Sequence, residues 1–286
     1  MFLFIGIAVV LISVFGGYML NGGELIVLFQ PFEFMTIFGA AVGAFVIANP
    51  KSVLSGTAQS LKYLISGSRY RKENYMELLS LLYSVFKTAK LKGMLALEVH
   101  VENPTESTLF QQFPLFAANP LAVTFTCDYL RLLTLGTENH HEVEALIDEE
   151  LETHHHEHEM IAGALTTMAD GLPALGIVAA VLGVIHTMGS ITQPPAVLGH
   201  LIGGALVGTF LGVLLSYGFV GPMASSLRNT FEAEAKYFQC IKTGILAHMQ
   251  GYAPSVAIEF ARKSLLSDVR PTFYEVEEAT SNVQPV

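Results

Sequence analysis

Apolar positions in this chain fall in blocks. Phe2 to Leu20 contains no charged residue, and at about 1.5 Å per residue it covers roughly 28 Å, close to the hydrocarbon thickness of a bilayer. No positive segment precedes it and no small-residue cleavage site follows it, so it reads as a span and not a removed signal peptide. After "NGGE" (21–24), Ile26 to Ala48 forms a second block, with Gln30, Pro31 and Glu33 at its outer end and "NPKS" stopping it. Leu172 to Gly189 and Leu198 to Val220 are the third and fourth, joined by "SITQPP".

Between and after these blocks the period becomes helical. "NYMELLSLLYSVFKTAKLKGMLALE" (74–98) spaces Met76, Leu79, Leu82, Val85 and Phe86 along one face. Residues 119–137 predict a helix ended by Gly136, 142–170 a helix running into the third span, and 231–252 an amphipathic tail helix. The last stretch, "EVEEATSNVQPV", predicts disorder. No strand pattern and no fixed repeat is found.

Charge sets the orientation. All 15 Lys and Arg fall in 51–131 or 228–270, and the short loops 21–25 and 190–197 hold none. The positive-inside rule turns both short loops and the N-terminus outward. The expected fold is an all-α integral membrane protein: four transmembrane helices in two hairpins, a large helical cytoplasmic insert and a C-terminal cytoplasmic helix. The boundaries are 1–48 for the first hairpin (spans 2–20 and 26–48), 49–168 for the cytoplasmic domain, 169–224 for the second hairpin (spans 172–189 and 198–220) and 225–286 for the tail. Composition agrees. The chain is 51% hydrophobic and 14% charged, against about 25% charged in an ordinary soluble domain. A net charge of −10 argues against nucleic acid. Cys127 and Cys240 read as reduced structural thiols.

The spans are built for close approach. Gly204, Gly208 and Gly212 form a double GxxxG in the fourth, Gly176, Ala180 and Gly183 line the third, and Gly39 and Gly43 the second. Small residues let helix backbones meet inside lipid. Some of this is packing within the chain, but four helices are too few to bury every small face, which implies contact with other chains. Pro173 and Pro222 sit at the cytoplasmic boundary. Singly, the one reads as starting a helix and the other as ending one; as a pair at one depth they suggest a joint. Spans one, three and four contain no Asp, Glu, Lys or Arg, and span two only Glu33 near its outer edge. Ion relays need an ionisable group at depth, so either no ion moves or another protein brings the carboxylate. His186 and His200 lie near the outer face.

"HHHEHE" (154–159) invites a metal. His154 and His158 lie one turn apart with Glu150 a turn before, a geometry that suits zinc. Without HExxH or a nearby cysteine, a polar helix whose charge changes near pH 6.5 is preferred, and no metal is expected. No nucleophile and base pair lies in the spans, so no enzyme activity is expected.

The sequence resembles the flagellar motor stator subunits MotA and PomA over nearly its whole length. The resemblance rests on "DGLPALGIVAAVLGVIHTMGS", "GALVGTFLGVLLSYGFVGPM", "GMLALE", "CDYLRLL" and "IDEELETHHHE". It implies a five-membered ring around two copies of a single-span, peptidoglycan-anchored, MotB-like partner that supplies the membrane aspartate. Ion flow through this inner-membrane complex would turn the ring against the rotor protein FliG. It further implies that Pro173 and Pro222 are functional prolines and that Thr209 faces the ion path. Lys90, with Lys92 beside it, and Glu98 would contact the rotor; arginine is the usual residue at the Lys90 position. Sodium-driven relatives carry threonine where this chain has Ala180. Sodium needs several oxygen ligands, so a proton is the expected coupling ion and no other cofactor is implied. The alternative is an ExbB/TolQ-like proton-channel subunit, which usually has three spans. A charge exchange, Lys90→Glu with Glu98→Lys, is expected to lower motor torque while leaving ion flow intact; unaffected swimming would count against a rotor contact there.

Overall fold

A computed structural model describes residues 2–67 and 70–283. No strand occurs among them. The helices are α1 (Phe2–Leu20), α2 (Leu25–Leu28), α3 (Pro31–Ala48), α4 (Lys51–Ser66), α5 (Lys72–Lys92), α6 (Glu98–Glu102), α7 (Pro114–Ala117), α8 (Pro120–Thr134), α9 (His140–Met188), α10 (Pro195–Val213), α11 (Gly221–Met249), α12 (Pro254–Lys263) and α13 (Phe273–Ser281). A π-helical segment, Leu214–Val220, joins α10 to α11. Four helical runs are long and apolar enough to cross a membrane: Leu3–Leu20, Leu25–Ala48, His140–Met188 and Pro195–Met249.

Contacts divide the chain into two compact units, Met1–Gly67 with His156–Thr230, and Ser68–His155 with Phe231–Val286. The first holds the apolar runs. Its small core joins Ile37 and Ala41 of α3 to Leu172 and Ala179 of α9, with Leu211, Leu215 and Val220 packed around them. Helix α1 touches the rest through Phe15, edge-on to Phe210, and buries nothing along its apolar window. A charge-free helix so exposed needs lipid or other chains around it.

The second unit has a conventional core. On α5, Tyr75, Leu78, Leu79, Leu82, Val85, Phe86 and Ala89 are buried at steps of three and four, as the sequence pattern anticipates. They meet Tyr237, Ile241 and Ile245 of α11, Phe125 and Tyr129 of α8, and Ile258 of α12. Lys242, with 9% of its side chain exposed, reaches Asp148 at 2.5 Å and Glu144 at 3.8 Å on the polar end of α9. An ammonium this buried requires such partners. Both cysteines are buried and unbridged.

Four expectations need correction. Helix α5 does not run on to Glu98. It stops at Lys92 because Gly93 adopts φ 87° and ψ 162°, a region essentially closed to other residues; a 3₁₀ turn, Met94–Leu97, and α6 follow. Pro173 does not start a helix but lies inside the 49-residue α9. Pro222 does not end one, since α11 continues to Met249. The C-terminal stretch is not disordered over 275–281: α13 is nucleated by a Thr272–Glu275 capping box, tied to Lys72 at 2.7 Å, and buries Val276. Residues 284–286 lie outside the described residues. The Gly93 corner yields an expected outcome. Gly93→Ala should cost about 1–3 kcal/mol, read as a lowered melting temperature of the purified protein, whereas the same change at open, helical Gly163 should not destabilise.

Candidate functional site

The site is built on the seam between α9 and α10. A Cβ placed on Gly176 would stand 2.7 Å from the Gly208 carbonyl oxygen, and one on Gly212 would stand 2.7 Å from the Leu172 carbonyl oxygen. One on Gly183 would meet Ala205 at 2.7 Å, and one on Gly208 would meet the Ala180 amide nitrogen at 3.0 Å. Real Cβ atoms do not come within 2.7 Å of backbone oxygens, so Gly176 and Gly212 are required for the helices to touch, and Gly183 and Gly208 make the approach tight. The pairs run in opposite senses, Gly183 beside Ala205 and Gly176 beside Gly212, which makes the two helices antiparallel. Gly176, Gly183, Gly204, Gly208 and Gly212 are thus packed within the chain. Gly39 and Gly43 have nothing within 4 Å of an added Cβ, and there the small faces remain open.

Ala180 and Thr209 come to the same level, because Gly208 beside Thr209 lies against the Ala180 backbone. Both are half-buried. The sequence reading missed what shares that level. The Glu33 carboxylate lies against the seam, with Oε1 3.3 Å from a Cβ position on Gly183 and Oε2 3.2 Å from one on Gly208. By helix rise the contact lies about 9–15 Å along the two helices from the ends that the 190–197 loop joins. The chain brings it there by breaking the second span at Phe29 and Gln30, with Pro31 opening α3. Glu33 then occupies the first turn of α3, where an anion is favoured by the helix dipole. Gln30 sits beside Gly204, its Nε2 3.1 Å from a Cβ position there, and donates to the Val27 carbonyl. The signal in the sequence was "QPFE", a proline inside an apolar block flanked by two polar residues.

The two prolines are accommodated differently. Pro173 lies in regular α-helix and removes the donor that the Ala169 carbonyl would use. Pro222 follows the π segment, in which the Gly221 amide bonds back to Ser216. A wider register addresses carbonyls ahead of a proline to amides one residue further on, and such segments recur at functional sites.

The rotor-charge candidates lie in the second unit. Lys90, Lys92 and Glu98 are all exposed around the Gly93 corner. Two histidines lie nearby. Burial, and then Lys90, lowers the pKa of His248, which stacks on Phe86 at 4.6 Å. Burial, and then Lys92, lowers that of His100, whose Nδ1 is 2.8 Å from Ser107 Oγ. The corner's positive charge at neutral pH therefore belongs to the lysines. Of the weak metal candidates, Glu150 is engaged by the Tyr129 hydroxyl, and no group of three metal-ligating side chains forms with His154 and His158 among the described residues.

Comparison with known proteins decides the family. A family model described as Motility protein A N-terminal matches residues 4–93, and one described as the MotA/TolQ/ExbB proton channel family matches residues 121–240. Motility protein A of Escherichia coli is 47% identical over 97% of this chain and 94% of its own. The chain belongs to the motility protein A family. Chemotaxis protein LafT of Vibrio parahaemolyticus is 35% identical over 96% of both chains. The fold matches the Campylobacter jejuni MotAB structure, with TM-score 0.78, 19% identity and coverage of 93% of this chain and 96% of that one. It also matches the flagellar MotAB stator complex from Bacillus subtilis, with TM-score 0.73, 24% identity and coverage of 92% and 94%. The N-terminal model is described as motility protein A's alone, whereas TolQ and ExbB are named only in the description of the second. In this member of the motility protein A family, Gly212→Ala should cost about 1–3 kcal/mol by forcing α9 and α10 apart, seen as a lower melting temperature and weaker swimming.

Proposed function

We propose that this chain is a stator subunit of a bacterial flagellar motor, forming with a MotB-like partner an ion channel that converts ion-motive force into torque. Membership of the motility protein A family is the observation that carries it. The chain is a multi-pass inner-membrane protein, and its role is mechanical and conductive, not enzymatic.

The finer reading has its own supports. The distribution of Lys and Arg favours two hairpins, 1–48 and 169–224, with outward short loops, and a cytoplasmic insert (49–168) and tail (225–286). The bare α1 and the open faces at Gly39 and Gly43 favour self-association, which we take to be a ring of five around two partner helices. The partner would be a single-span, peptidoglycan-binding subunit whose aspartate completes the path past Ala180 and Thr209. Exposed Lys90, Lys92 and Glu98 would engage FliG. Pro173 and Pro222 would pass the conformational change from path to rotor. The absence of a hydroxyl at Ala180 favours the proton over sodium as coupling ion.

One experiment tests both levels. Expressed with such a partner in a host lacking its own stator, the chain is expected to restore swimming, and without the partner it is not. Restored swimming should be unchanged when potassium replaces sodium. Swimming without any partner would refute the channel reading, and sodium-dependent swimming would refute proton coupling.

A further inference from the structure

Ser216 is the feature that the seam leaves unexplained. It is 1% exposed and its hydroxyl has no hydrogen-bond partner. In an apolar interior an unmade hydroxyl bond is costly. An ordinary helical serine avoids that cost by bonding back to the carbonyl four residues before. Ser216 stands in the π segment and makes no such bond.

Its position is informative. Gly204, Gly208, Gly212 and Ser216 are spaced by four and all are buried; Gly208 and Gly212 face α9, while Gly204 faces Gln30. The register already described pairs Gly183 with Ala205, Gly176 with Gly208 and Gly212, and the Leu172 carbonyl with Gly212. One more turn down α10, and one turn back along α9, brings Ser216 to the level of Met168 to Leu172. Within that turn lies Ala169, 3% exposed, whose carbonyl loses its α-helical donor because Pro173 has no N–H. A hydroxyl without an acceptor thus stands at the level of a carbonyl without its usual donor, on two helices in backbone contact.

We propose that Ser216 is a positioning residue, a latch whose hydroxyl closes onto the carbonyl freed by Pro173 when the Leu214–Val220 segment passes from π to α register. This rests on the stator reading, since it gives the joint its second state. In the present state the segment is π-helical, the Ser216 hydroxyl has no partner, and the Ala169 carbonyl lacks its α-helical donor. In the latched state the Ser216 hydroxyl donates to the Ala169 carbonyl, and α register addresses the Gly218 carbonyl to Pro222, which has no N–H to give. Each state leaves polar groups unmade, so neither is overwhelmingly favoured, which a cycling device requires. A change of register turns and shifts everything on one side of the segment relative to the other, with Thr209 on one side and Pro222 on the other.

The static structure and the latch make opposite predictions for Ser216→Ala. A hydroxyl that never bonds is removed without cost. A latch loses one hydrogen bond, which lowers the latched population about two- to tenfold. The test compares Ser216→Ala, Ser216→Val and Ser216→Thr, the last two alike in shape and different in the hydroxyl, each coexpressed with the partner. Swimming speed and membrane level are read in cells, and melting temperature and amide exchange over residues 214–223 in the purified complex. The expected result is slower swimming for Ala and Val at wild-type melting temperature and membrane level, faster exchange by about two- to tenfold, and both restored by Thr. Wild-type swimming and exchange in Ser216→Ala, indistinguishable Val and Thr variants, or a loss confined to melting temperature would each overturn the latch. If the wild-type chain itself drove no swimming, the stator reading would fall while the exchange comparison still decided the latch.

Discussion

Backbone against backbone is the constraint on which the membrane part depends. Lipid provides no hydrophobic force to press helices together, so α9 and α10 must gain their adhesion from close van der Waals contact. Glycines alone permit it, since added Cβ atoms on Gly176 and Gly212 would strike carbonyl oxygens of the facing helix. Once the two helices are in register, the rest follows. Glu33 and Gln30 can lie against the seam because no side chains fill it, and Ala180 and Thr209 fall at one level.

The second unit obeys a different solvent and is built differently. Large side chains at three- and four-residue steps fill a core around α5, and the cations it buries are paired. Lys242 has two carboxylates, and Arg262 holds Glu259 through two bonds and donates to the Pro271 carbonyl. The Gly93 corner projects from this packed body, so Lys90, Lys92 and Glu98 are displayed on a support that does not yield. The large side chains lie in the core and these charges at the surface.

Much of this was legible in the residues. Apolar blocks of the right length, three of them charge-free, mark the four apolar runs, and α1 coincides with the expected 2–20. Helical spacing picks out Leu79, Leu82, Val85 and Phe86, all buried. The misreadings share one cause: they turn on how neighbouring helices treat a local signal. A proline reads as a terminus, yet Pro173 is held in mid-helix and Pro222 is absorbed by a π segment. A glycine inside a helical pattern reads as tolerated, yet Gly93 takes a positive φ and turns the chain. A polar C-terminal stretch reads as disordered, yet a capping box and an ion pair to Lys72 fold it. Glu33 reads as a polar residue near the end of its block; that its carboxylate lies against the seam follows only from the broken second span.

The two cysteines carry a practical consequence. Cys127 and Cys240 are buried, and burial pushes both thiols up to about 12, far from the thiolate form that reacts with maleimides and disulfides. The native chain is therefore already silent to sulfhydryl chemistry. A single cysteine introduced on an exposed face, beside Lys90 or along α1, can carry a fluorophore, spin label or cross-linker in the otherwise native protein, with both natural thiols left in place.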